Sequence, residues 1–196
     1  MMEVFNGILA VYAESRSAWR TWLEQNHQTE KSVWLIIYRK QSNIPTVYYP
    51  EAVDEALCFG WIDSTPKKRD ENSYYQFFAT RNPKSGWSRV NKEKIAKLLE
   101  AGLMHPSGLE AISVAQKNGA WSALDEVENL VLPPDLLASM EANPLASENW
   151  SKFSRSSKRG ILEWISQAKK EETRKKRIEE TVRLATENVK ANHPRK

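Results

Sequence analysis

Six consecutive residues, Val33-Trp34-Leu35-Ile36-Ile37-Tyr38, contain no charge, no glycine and no proline. A run this short, rich in β-branched and aromatic side chains, reads as a buried strand. A buried strand must pair and be covered, so the flanking segments are read for partners. Gln41 to Pro45 reads as a turn, and Tyr49-Pro50-Glu51 opens a short helix that carries Ala52, Val53, Ala56 and Leu57 to a stop at Gly60. Trp61 to Arg69 and Ser73 to Thr80 then form the two arms of a hairpin around Asp70-Glu71-Asn72. Tyr74, Tyr75, Phe77 and Phe78 make the second arm strongly β-prone. Before the first strand, Trp19, Trp22 and Leu23 recur at helical spacing over residues 15–26, with Ser15 or Ser17 as a cap.

From Ser85 onward the periodicity is helical. Trp87, Asn91, Ile95 and Leu98 fall on one face, and Gly102 closes that helix. Pro106, Pro133-Pro134 and Pro144 open further helices, Ser154 to Ala168 forms another, and the last runs from about Glu172 to Lys190. In that last helix Ile178, Val182, Ala185 and Val189 make an apolar stripe, while Glu172–Lys176, Lys176–Glu180, Glu179–Arg183 and Arg183–Glu187 are i,i+4 pairs. Arg174 and Arg177 sit on or beside the stripe. An arginine aimed inward requires a carboxylate, a carbonyl or a ligand.

Charge is unevenly placed in these 196 residues. Residues 1–151 hold 15 Lys/Arg against 19 Asp/Glu, whereas residues 152–196 hold 14 against 6. Two segments that pack together, or two solvated faces, account for this as well as a basic surface for an anionic partner does. The acid pairing along the last helix argues against nucleic acid. No run approaches the roughly 18 apolar residues of a membrane span. Val4 to Ala13 is fairly apolar, but Glu3 precedes it and Asn6-Gly7 interrupts it, which argues against a signal peptide. Cys58 is the sole cysteine, so no internal disulfide forms; its apolar neighbours make it a small buried hydrophobe. A reducing, cytoplasmic setting is expected.

The familiar reaction motifs are absent. His27, His105 and His193 are widely separated and there is no H-E-x-x-H, so no metal is expected. There is no G-x-S-x-G and no phosphate-binding glycine loop. Two segments remain as candidates. Phe59-Gly60-Trp61-Ile62-Asp63 joins a helix end to a strand and places an acid beside an aromatic; a glycine cap with a core tryptophan and a carboxylate paired with a nearby base is the plainer explanation. Arg81-Asn82-Pro83-Lys84-Ser85-Gly86-Trp87-Ser88-Arg89-Val90-Asn91 runs from a strand end through a basic loop into a helix beginning at or near Ser85. Helix N-termini favour anions, and Arg81, Lys84 and Arg89 add charge there; a capped helix with a hydrogen-bonded core asparagine accounts for the segment as well.

These same segments carry a family resemblance. Glu55-Ala56-Leu57-Cys58-Phe59-Gly60-Trp61-Ile62-Asp63, the 81–91 segment, Ala115 to Trp121, and Trp164-Ile165 through Ala168 to Ile178 resemble blocks of the YdeI/OmpD-associated, bacteriocin-protection family, in family order, over about residues 19–190. The resemblance implies a link to bacteriocin or cationic-peptide resistance and brings no established catalytic residues. It places Asp63, Arg81, Ser85, Trp87, Asn91, Arg174 and Arg177 in the family's blocks, as candidate ligand-binding residues.

The expected architecture is α+β: a small antiparallel three-stranded sheet in the N-terminal half packed with helices, and an all-helical C-terminal half. Residues 1–130 form the α+β region and 131–196 a helical region, packed as one compact unit. The expected function is binding of a small anionic ligand or a protein or peptide partner, without a cofactor. An enzyme acting on a small anionic substrate is the alternative.

Overall fold

The computed structural model describes residues 3–192. The chain opens with a hairpin, β1 (Glu3–Phe5) and β2 (Ile8–Tyr12), followed by α1 (Arg16–Asn26) and β3 (Ser32–Tyr38). Helix α2 (Tyr49–Cys58), β4 (Trp61–Lys68) and β5 (Ser73–Thr80) come next. After them lie α3 (Arg89–Glu100), α4 (Pro106–Lys117), α5 (Asp125–Glu128), α6 (Pro134–Glu141), α7 (Pro144–Lys152), α8 (Arg155–Ser166) and α9 (Glu171–Thr186). The strands form one five-stranded sheet in the order β1-β2-β3-β5-β4.

This corrects the expected three-stranded antiparallel sheet, and with it the expected fold. The sheet is mixed, because β2 and β3 run parallel while every other neighbouring pair is antiparallel. The two strands that sequence reasoning missed are short, and their turn looks like a flaw. Asn6 and Gly7 adopt φ of 53° and 75°, the double positive-φ geometry of a tight hairpin, so the residues that interrupt the apolar run are what fold it back. Helix α1 then serves as the crossover that parallel pairing of β2 with β3 requires. Helices flank the sheet as well as following it, and roughly half of the chain is helical.

Side-chain caps set several helix starts. Ser15 Oγ accepts the Ala18 N–H at the start of α1. Ser88 Oγ accepts from Asn91 N–H, so α3 begins at Arg89 rather than near Ser85; residues 81–88 are an extended loop. Ser154 caps α8 in the same way. On α9 the Glu172–Lys176 and Arg183–Glu187 pairs form at 2.7 and 2.9 Å, and the helix stops at Thr186.

The chain divides into two units, one ending at Ser122 and one beginning at Ala123, each with its own core. In the first, Val33, Leu35 and Ile37 of β3 meet Trp19 and Leu23 of α1, Leu57 of α2, Phe78 of β5 and Trp87. The alternate β3 residues Trp34 and Ile36 pack on the opposite face with Ala10 and Tyr75, so β3 is buried on both sides. In the second unit Leu136, Met140, Trp150, Ile161, Ile165, Ile178 and Ala185 form the core.

Candidate functional site

The two sequence segments singled out above are neighbours. Trp61 of β4 pairs with Thr80 of β5, and the Arg81 N–H donates to the Gly60 carbonyl at 3.0 Å. Helix α4 closes over this junction. The His105 N–H donates to the Cys58 carbonyl at 3.1 Å, and Ser107 Oγ donates to the Phe59 carbonyl at 3.1 Å. Gly60 has φ of +75°, and a Cβ there would lie 3.1 Å from both Ala111 Cβ and the Ser107 oxygen. Glycine therefore answers both the backbone conformation and the approach of α4.

Between the 81–87 loop and α4 lies a cleft of about 210 Å³. Ser107, Ala111 and Ala115, one helical turn apart, form its small-residue wall; Glu110, Val114 and Pro83 complete the rim and Arg81, Asn82 and Trp87 the other side. Trp87 is fully buried and packs against Trp121 with ring centroids 5.0 Å apart. The Arg81 guanidinium lies over the Trp87 ring, 3.8 Å from its centroid, and its Nη2 donates to the Gly86 carbonyl at 2.5 Å. Its Nε is buried without a hydrogen-bond partner. Burial lowers the Arg81 pKa to about 10, and the Asp63 carboxylate nearby works against that shift. Asp63 itself is bound to the Tyr49 hydroxyl, which donates to its Oδ2 at 2.6 Å. Desolvation, and then this hydrogen bond, push the Tyr49 pKa up.

Arg81 and Trp87 thus form one unit, with Asp63 within electrostatic reach. Ser85 and Asn91 do not line the cleft. The Ser85 hydroxyl donates to the Asn82 carbonyl at 2.7 Å, and half-buried Asn91 donates its backbone N–H to the Ser88 cap. Arg174 and Arg177 belong to the second unit. Arg174 grips Asp135 with two hydrogen bonds of 2.6 and 2.8 Å, which hold the Asp135 pKa below the usual carboxylate value. Arg177 donates to the Trp164 carbonyl and lies over that indole, 5.0 Å from its centroid. A carboxylate and a carbonyl therefore meet the two inward-facing arginines. The α4 residues that line the cleft went unnoticed in the sequence; Gly108, a glycine inside a helix, was the available sign of close packing.

Two other polar clusters form. Glu55 on α2 accepts Arg16 Nε at 2.5 Å and Arg20 Nη1 at 2.8 Å. His27 and His105 meet with centroids 4.7 Å apart, and His105 stacks on Phe59. Burial, then the neighbouring His27 and Arg20, lower the His105 pKa. Its Nδ1 sits 2.9 Å from Ser107 Oγ and caps α4. Among the described residues no group of three or more His, Cys, Asp or Glu could hold a metal ion. His193 lies outside them. Burial raises the Cys58 thiol to about 11, away from a reactive thiolate. Among the described residues, no helix is long and apolar enough to cross a membrane.

Residues 11–111 match the family described as a domain of unknown function, DUF8412. Residues 129–188 match the family described as bacteriocin-protection, YdeI or OmpD-associated. The first match spans more than half of the chain, so the protein belongs to the DUF8412 family and carries a YdeI/OmpD-associated domain in its second unit. Both segments fall within the first match, as do the cleft residues up to Ala111; Val114 and Ala115 lie just beyond it. No curated protein matches the chain, and no solved structure does.

Proposed function

We propose that the cleft beside Arg81 binds a small anionic ligand. The observation that carries this is the state of Arg81. It is a partly buried guanidinium that bonds one carbonyl and lies over an indole face, with one N–H unanswered and, among the described residues, no carboxylate bonded to it. Burying a charge without a bonded counter-ion is unfavourable, and a planar donor fork suits a carboxylate or phosphate. The contact with Trp87 holds the fork in place before any ligand arrives, which reduces the entropic cost of binding. The description of the second unit's family, bacteriocin protection, supports a proposed setting in tolerance of bacteriocins or cationic peptides.

Thermal shift with acetate and with inorganic phosphate tests the reading. A ligand that binds the native state raises Tm by mass action. The wild type is expected to be stabilised by at least one of these anions. Arg81→Gln should lose that response, and Arg81→Lys should keep only part of it, because an ammonium lacks the fork. In cells lacking the gene, the wild type should restore bacteriocin tolerance and Arg81→Gln should not. An anion response that survives Arg81→Gln unchanged removes Arg81 from the site.

A further inference from the structure

The cleft holds a second charge that anion binding leaves unused. Glu110 projects from α4 at the rim, one turn before Val114. It is exposed, and among the described residues it has no hydrogen-bond or ion-pair partner. No ion pair joins it to Arg81, so the two charges face the same space without neutralising each other. A simple anion satisfies Arg81 and leaves the Glu110 carboxylate repelling it. A ligand that complements both carries one negative and one positive group. The walls between them, Ala111, Val114, Ala115 and Pro83, are apolar and small.

We propose that this cleft takes a small aliphatic amino acid, its carboxylate on Arg81, its ammonium on Glu110 and its side chain against the α4 alanines. The inference rests on the anion reading above and narrows it. Size agrees: a cleft of about 210 Å³ takes a small molecule. The arrangement also separates a free amino acid from a metabolite acid of the same size, since only the former gains from Glu110.

Calorimetric titration of the full chain with L-valine, N-acetyl-L-valine and L-valinamide decides it. L-Valine should bind tightest, and the amide, lacking the carboxylate, should not bind. Glu110→Gln, a substitution at an exposed position, should weaken L-valine about fivefold, the scale of a solvent-accessible ion pair, and leave N-acetyl-L-valine unchanged. If L-valine and N-acetyl-L-valine bind equally and Glu110→Gln alters neither, the anion site stands and the amino-acid assignment is wrong. If the amide binds as well as L-valine, or if valine, N-acetyl-L-valine, acetate and inorganic phosphate all fail, both readings fall.

Discussion

Glu55 sits on α2 with 2% of its surface exposed, among alanine, leucine and the lone cysteine. A carboxylate there is tolerated because Arg16 and Arg20 reach it from the first turns of α1, and Arg20 continues to the Leu103 carbonyl at 3.1 Å. Three segments remote in sequence are thereby tied through one acid. Glu55→Gln keeps the shape and removes the charge, leaving two cations facing each other. Fully buried pairs cost about 3–5 kcal/mol to break, but both arginines are partly solvated, so about 2 kcal/mol is expected. Urea unfolding measures it, with an unchanged m-value showing that the native fold persists. A loss below about 0.5 kcal/mol would mean that solvent already screens the cluster. Arg81 is the complementary case, a partly buried charge bonded to a carbonyl and, among the described residues, to no carboxylate. Sequence reasoning found Arg81 because basic residues gather around an expected helix start, and Trp87 because it falls on the apolar face of that helix. It missed Arg16, Arg20 and Glu55 because charged residues on helices look like solvated faces until the partner helix is known.

Helix α4 is positioned by what it lacks. A Cβ on Gly108 would stand 2.1 Å from the Cys58 carbonyl oxygen and 2.8 Å from its carbon, both backbone atoms that cannot swing aside. Gly108→Ala gains about 1 kcal/mol of helix propensity but must push α4 off the end of α2, an overpacking cost of about 1–3 kcal/mol. The clash should win: net destabilisation, with weaker ligand binding as the cleft wall moves. Gly160, inside α8 with no atom within 4 Å of an added Cβ, is the control. There the same substitution should stabilise by about 0.5–1 kcal/mol. Thermal unfolding of the two variants side by side checks both signs. Equal signs would show that the α2–α4 contact does not govern Gly108.

Within the molecule, the buried residues of each core lie inside one unit. The first core draws on seven elements before Ser122, and six of the eight tryptophans lie in that unit. A fragment of residues 1–122 is therefore expected to fold alone, unfold in one cooperative urea transition followed by tryptophan fluorescence, and retain the Arg81-dependent anion response. A broad, non-cooperative transition would show that the first core needs the rest of the chain.

The sequence by itself determined local structure. The strands from 32 to 80, the proline starts of α4, α6 and α7, the serine caps and the glycine stops depend on interactions within a few residues, and their patterns are visible in one dimension. Tertiary structure alone decided the rest. Parallel pairing of β2 with β3 joins residues more than twenty positions apart, so nothing local announces it. The cleft exists because α4 packs on the Phe59–Gly60 corner beside a loop arriving from β5, and the charge of Arg81 matters because that packing removes its water. The sequence marked the basic 81–91 segment as anion-receptive on account of a helix start. The structure moves the interest off that start, which is only a serine cap, and onto a guanidinium pressed against an indole.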